Sequence, residues 1–235
     1  MNLILLHAED FVSPDQVCLY GRRREHVLNI HRAAVGDELR VGLLNGLLGH
    51  GKILSLTDQV LELEILLDQP PPEPLPVTLL LALPRPKMLR RILQSVSSLG
   101  VKKIHLINSY RVDKSFWSSP LLQPEKLQEQ LLLGLEQSRD TILPEICLWP
   151  RFKPFVEDEL PGISAATTAY VAHPGAGVDS PCRLKRPTTL AIGPEGGFIP
   201  YEVEKLQACD FIPISLGERI LRVETAVPVL LSRLI

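Results

Sequence analysis

The sequence predicts an α/β protein, a mainly parallel sheet flanked by helices, preceded by a small β domain. Three observations carry this. After residue 76, short apolar runs alternate with stretches of helical period, the pattern of successive βα units. Before residue 69, apolar runs surround Asn45-Gly46 and Gly49-His50-Gly51, which are hairpin signals. Between the two parts, Gln69 to Pro76 holds five prolines in eight residues. That composition continues neither a helix nor a central strand and makes a stiff spacer. Domains are therefore expected at 1–69 and 77–235, with a linker at 70–76.

The elements follow in order. In the first domain, 38–44 and 51–56 read as strands, and 60–65 alternates with period two, as a half-buried strand does. A short helix is expected over 26–35, ended at Gly36-Asp37. Several short strands in so little chain point to a small barrel. In the second domain, strands are expected at 77–83, 103–108, 145–148, 168–173, 188–192 and 211–216. Helices are expected at 86–99, 124–139, 152–160, 200–208 and 221–234. The second of these carries Leu127, Leu131 and Leu135 on one face.

Composition limits the function classes. Hydrophobic residues make up 45% of the 235, enough for a core, and the formal charge of -2 gives no global polyelectrolyte signal. A nucleic-acid partner would have to meet a local patch. The four cysteines, Cys18, Cys147, Cys182 and Cys209, are scattered. They read as buried free thiols of a reducing compartment, with no metal site. The start lacks a basic region before its apolar run, and no apolar stretch is long enough to span a bilayer. A soluble, cytoplasmic protein without a membrane partner is expected.

Basic residues cluster twice. One run holds Arg85, Lys87, Arg90, Arg91, Lys102, Lys103, Arg111 and Lys114 against only Asp113. The other holds Arg22, Arg23, Arg24 and Arg32, with His26 and His31. Either could be a solvated face, but two of them on different domains also fit a surface that tracks phosphates.

Two segments stand out. The turn Gly193-Pro194-Glu195-Gly196-Gly197-Phe198 follows an apolar run, and Leu216-Gly217-Glu218-Arg219-Ile220-Leu221-Arg222-Val223-Glu224-Thr225-Ala226 lies about twenty residues on. Each begins where a strand should end and leads into a helix, which is where open α/β sheets hold ligands. Glycines permit close approach of backbone to a ligand, though they equally fit a tight βα turn. Neither segment is a Walker loop or a dinucleotide fingerprint. Arg222 and Glu224 could pair with each other, and Thr225 and Ala226 are small enough for close packing at a helix start.

Together the two segments resemble the RsmE-type 16S ribosomal RNA N3-uridine methyltransferases, within the SPOUT (trefoil-knotted) class. That family carries Gly-Pro-Glu-Gly-Gly-Phe/Leu followed by Leu-Gly-x-Arg-Ile-Leu-Arg-x-Glu-Thr-Ala. Glu136-Gln137-Ser138, then Arg139, is similar to the family's Glu-Gln-Ser-x-Arg segment. Gly21 to His26, then Arg32 and Val35-Gly36-Asp37-Glu38, resembles its PUA-like RNA-binding barrel. The chain departs from the pattern at Ser98, Glu218 and Val223, where glutamate, proline and threonine are usual.

The resemblance implies a deep trefoil knot near the C-terminus whose loops form an S-adenosylmethionine pocket. By position these are Ala172, His173 and Pro174; Ile192, Gly193, Glu195, Gly196 and Gly197; and Ser215, Leu216, Gly217, Ile220, Leu221, Thr225 and Ala226. It implies a homodimer, with the last helix at the interface, acting on 16S rRNA within the small ribosomal subunit. Arg222 would stabilise charge on the uracil oxygens, and Glu195 or Glu224 would orient it or take the N3 proton. RNA phosphates would meet Arg22, Arg23, Arg24, Arg32, Arg85, Lys87, Arg90, Arg91 and Arg139. A methyltransferase acting on another RNA site, and a non-catalytic RNA-binding assembly factor, are the competing readings.

Overall fold

The computed structural model describes residues 2–31, 33–183 and 186–234. It divides into two compact units, Met1–Glu73 with Leu132–Leu143, and Pro74–Leu131 with Pro144–Ile235.

The first unit is a curled six-stranded sheet. Its strands are β1 (Ile4–Leu6), β2 (Phe11–Ser13), β3 (Gln16–Leu19), β4 (Glu38–Leu43), β5 (Leu48–Leu56) and β6 (Leu61–Gln69). They lie in the order β1-β4-β5-β6-β3-β2, with β1 parallel to β4 and the other pairs antiparallel. The opening leucine-rich run is apolar at every position because both its faces are covered. Ile4 and Leu6 join Val17, Leu19, Val41, Leu61 and Leu63 in one core. Leu3 and Leu5 join Leu48 and Leu135 in another. Each fully buried leucine stabilises the unit by about 1.5–3 kcal/mol.

Two local expectations are corrected here. Gly49-His50-Gly51 does not turn but lies within β5, opposite Val41, Arg40 and Leu39 of β4. The glycine is needed for close approach, since a Cβ at Gly49 would stand 1.8 Å from the Leu66 carbonyl oxygen. The turn itself is made by Asn45, at φ 59, whose N–H donates to the Thr141 carbonyl. The helix expected over 26–35 is α1 (Gly21–His26), continued by a wider turn over Val27–His31. Gly21, at φ +55, turns the chain into it.

The second unit is an α/β layer. Its strands are β7 (Leu75–Ala82), β8 (Val101–Ile107), β9 (Glu145–Trp149), β10 (Thr168–Ala172), β11 (Thr188–Ile192) and β12 (Ile212–Ile214). The order is β12-β10-β11-β7-β8-β9, and every neighbouring pair is parallel. The helices are α2 (Pro86–Ser98), α3 (Pro124–Ser138), α4 (Phe152–Pro154), α5 (Leu160–Ser164), α6 (Pro200–Gln207) and α7 (Val223–Leu234). Residues 132–138 of α3 pack with the first unit. β7 starts at Leu75, earlier than the expected 77, with Pro76 at an irregularity in the pairing with β8, the kind of place a strand tolerates proline. The single helix expected over 152–160 is interrupted by a π-type turn at Phe155–Glu159 before α5 begins. Pro161, in the first turn of α5, has no N–H to continue the earlier helix.

Parallel pairing places the strand ends that matter together. Ala172, the last residue of β10, pairs with Ile192 of β11 and Ile214 of β12. All five residues of β11 are buried, including Thr188 and Thr189, as suits a strand covered on both faces. The Thr189 hydroxyl is satisfied by that of Thr167 at 2.8 Å.

All four cysteines are free, but Cys182 is exposed and the other three are only half-buried, so the expected burial does not hold. Among the described residues no helix is long and apolar enough to cross a membrane. No group of three or more His, Cys, Asp or Glu side chains among them could hold a metal ion.

Candidate functional site

The adjacent ends of β10, β11 and β12 open into three loops, and a cavity of about 670 Å³, counting its open mouth, lies among them. The first loop contributes Ala172, His173 and Pro174. The second contributes Ile192, Gly193, Pro194, Glu195 and Gly197. The third contributes Ile214 to Gly217, then Arg219, Ile220 and Leu221. Helix α7 closes one side with Val223, Ala226 and Leu230. That spacing of three and seven residues is one helical face.

The turn after β11 is braced from outside the cavity. Gly193 is confined, because an added Cβ would lie 3.0 Å from the Phe198 nitrogen and 3.2 Å from its ring. The Glu195 carboxylate accepts the Arg85 N–H at 3.4 Å, at the N-terminus of α2, where the helix dipole favours negative charge. The Arg111 guanidinium donates to the Gly196 carbonyl. Arg111 stands in the loop after β8, and that loop is tied down by Glu202. The buried Glu202 carboxylate accepts the Ser109 hydroxyl at 3.0 Å, the Tyr110 N–H at 2.7 Å and the Ile199 N–H at 3.0 Å.

The third loop is held at its start. Ser215 N–H donates to the Val178 carbonyl, and Ser180 N–H to the Ser215 carbonyl. Gly217 N–H reaches the Ser215 hydroxyl oxygen at 3.4 Å. Gly197 and Gly217 have φ of +73 and +93, and a Cβ on either would meet no protein atom within 4 Å. Both glycines line the cavity. Apolar walls with a few convergent backbone polar groups fit a small-molecule ligand that is partly apolar.

The RNA methyltransferase domain family matches residues 71–235 of this chain. The chain belongs to that family. It is 30% identical over 232 residues to the ribosomal RNA small subunit methyltransferase E of Treponema pallidum, spanning 96% of this chain and 87% of that protein. It is 23% identical over 229 residues to the ribosomal RNA small subunit methyltransferase E 1 of Borreliella burgdorferi, spanning 96% and 94%. The fold resembles the crystal structure of a ribosomal RNA small subunit methyltransferase E from Neisseria gonorrhoeae bound to S-adenosyl methionine. The TM-score is 0.75 at 22% identity, over 98% of this chain and 95% of that one. A protein from Legionella pneumophila, solved in complex with the same cofactor, gives the same TM-score and identity over the same shares.

Most of the residues expected to hold a cofactor line this methyltransferase-family cavity, but four of the residues singled out do not. Gly196 turns its Cα face toward Arg111, where a Cβ would stand 2.8 Å from the arginine Cδ. Thr225 is exposed and outside the walls, because α7 presents the face carrying Val223, Ala226 and Leu230. Arg222 is exposed, and Glu224 lies off that face. Among the described residues they form no ion pair with each other, which corrects the pairing suggested by their spacing. The Arg222 carbonyl instead accepts the N–H groups of Thr225 and Ala226 as α7 begins. Val223 and Leu230 went unassigned in the sequence although the helical period from Ala226 points to both. Arg111 and Glu202 carry no local signal of their roles.

The basic residues separate into two kinds. Arg85, Lys87, Arg90 and Arg91 are exposed on and beside α2. The arginines of α1 have partners within their own unit, and of the three only Arg22 is exposed. Arg23 makes a bidentate ion pair with buried Asp10 at 2.5 and 2.7 Å and donates to the Leu5 carbonyl. Arg24 is buried and donates to the Thr57 carbonyl at 2.8 Å. Arg22 pairs through both terminal nitrogens with buried Glu136, at 3.0 and 2.7 Å. Arg139 is exposed at φ 61 just past α3, where the Asp140 N–H bonds the Leu135 carbonyl, a Schellman ending. Arg32 lies outside the described residues.

Proposed function

We propose that this chain transfers the methyl group of S-adenosylmethionine to N3 of a uridine in the decoding region of 16S rRNA in the small ribosomal subunit. The observation that carries the reading is the single cavity built by both motif loops at the ends of three adjacent parallel strands. The names of the full-length relatives, and the cofactor in the two similar structures, support it.

When bound, the cofactor supplies an electrophilic methyl on a sulfonium, so little activation is asked of the protein. Ile192, Ile214, Leu216, Ile220 and Leu221 would flank the adenine ring, and Gly197 and Gly217 would let backbone approach it. The residues' task is alignment of the acceptor with the methyl and management of the N3 proton. Glu195, on the cavity wall, is assigned the proton, since Glu224 lies off the cavity face of α7. Arg222, between wall residues Leu221 and Val223, is assigned stabilisation of negative charge on the uracil oxygens. N3 lies on the pairing edge of the base, so the acceptor must be unpaired or extruded.

The same proposal includes a trefoil knot. Residues 178–183 bond the end of β12 through Ser215 and the end of α7 through Arg233, whose carbonyl accepts the Arg183 N–H. These bonds are consistent with a C-terminal segment that passes beneath such a strap. The proposal also includes a homodimer, a PUA-like RNA-binding first unit and a cytoplasmic location. Half-exposed Pro228 and Val229 on α7 are consistent with an interface there.

The test is labelled-methyl transfer to 30S subunits lacking the modification, with free 16S rRNA alongside. N3-methyluridine in the digested product is the expected result. Incorporation into neither substrate overturns the reading, and a different methylated nucleoside favours another target.

A further inference from the structure

Tyr110 and Ile220 are the two most exposed large hydrophobic side chains among the described residues, at 80% and 81%, and only Tyr110 is aromatic. An aromatic ring left in water on a loose loop would carry no meaning, but this one is on a fixed support. Its own N–H is held by the buried Glu202 carboxylate at 2.7 Å, and the preceding Ser109 hydroxyl by the same group. The next residue, Arg111, donates to the Gly196 carbonyl in the turn whose neighbours Glu195 and Gly197 line the cavity. The start of α2 is joined to that turn as well, through the Arg85 N–H and Glu195. Exposed Arg85, Lys87, Arg111 and Lys114 thus belong to segments that meet the cavity turn or run on from it. The nearby Asp113 carboxylate is engaged by the Ser115 N–H and hydroxyl at 2.9 and 2.8 Å.

An exposed aromatic ring on anchored backbone beside a basic surface is what binds unpaired nucleotides: the π-face stacks on a base and the cations track the backbone. Resting on the methyl-transfer reading above, we infer that Tyr110 is the stacking platform for an unpaired base of the RNA substrate beside the cavity, with Arg85, Lys87 and Lys114 on the adjoining phosphates.

The test compares wild type, Tyr110→Ala and Tyr110→Phe in methyl transfer to 30S subunits, with cofactor affinity and oligomeric state measured on the same preparations. Tyr110→Ala is expected to raise KM for the subunit about tenfold while kcat, cofactor affinity and oligomeric state stay near wild type. Tyr110→Phe, which keeps the ring, is expected to restore KM. An unchanged KM in Tyr110→Ala overturns the inference, as does equal loss in the phenylalanine variant. A changed oligomeric state in Tyr110→Ala also overturns it, by showing that a second copy covers the ring. Failure of the wild-type enzyme to transfer methyl at all is a separate outcome, which removes the function on which the inference stands.

Discussion

The Arg111 guanidinium donates to the main-chain carbonyl of Gly196, and its methylene chain fills the place where a side chain at 196 would stand. The space beside Gly196 is therefore taken by a movable arginine, whereas Gly193 is confined by the backbone and ring of Phe198. Gly197 is a third case, with positive φ and open space beyond it.

These differences rank three substitutions. Gly193→Val should abolish cofactor binding, because the turn itself must shift. Gly197→Ala should weaken it by about 1–2 kcal/mol, the cost of a left-handed backbone with a side chain. Gly196→Ala should have the smallest effect, because Arg111 is exposed and can swing away. Calorimetric titration with S-adenosylmethionine checks the order, and a Gly196 variant as damaged as Gly193→Val would refute it.

Glu202 offers a stability test. Its two oxygens satisfy three donors while buried. Glu202→Gln keeps the shape but leaves one acceptor oxygen, and should cost about 2–3 kcal/mol in urea unfolding. A loss below about 0.5 kcal/mol would mean that water takes over these donors.

The two kinds of arginine separate in one experiment. Arg23→Ala strands the Asp10 carboxylate and should cost about 2–4 kcal/mol of stability, with little change in the salt dependence of RNA binding. Lys87→Ala should leave stability within about 0.5 kcal/mol and reduce the slope of log affinity against log salt by about 1. The reverse assignment of effects would return Arg23 to the RNA surface.

His105 makes the folded protein sensitive to acid. Its ring is held below the ordinary value of 6.5, first by burial and then by Lys103, with Glu145 opposing. The Trp149 indole N–H donates to its Nδ1 at 3.0 Å, a bond that only the unprotonated nitrogen can accept. The unfolded chain therefore takes up the proton more readily, so the contribution is intact above pH 6.5 and declines as pH falls below it. An NMR titration of the His105 ring should give a midpoint under 6.5, and one above it would reverse the sign.

Much of the second unit was legible in the residues. Its strands were expected within a few residues of where they lie, because buried parallel strands and amphipathic helices leave strong local patterns. The first unit was less so. Gly49-His50-Gly51 has turn composition but serves as a strand, since the close approach of Leu66 that it permits is made by the neighbouring strand β6, whose register is set only on pairing. The site divides the same way. The glycine turn and the segment after β12 announced themselves, while Arg111 and Glu202 act across about 85 and 93 positions of sequence and gave no local sign.

By itself the sequence determined the alternation of strands and helices, and hence which loops gather at one end of a parallel sheet. Periodicity and turn chemistry are local properties, written in neighbouring residues. The tertiary structure alone decided which side chains face the cavity, that Arg23 and Arg24 turn inward to Asp10 and Thr57, and that Tyr110 is held out in water. Those outcomes depend on helix phase and on distant hydrogen-bond partners, which exist only once the chain has packed.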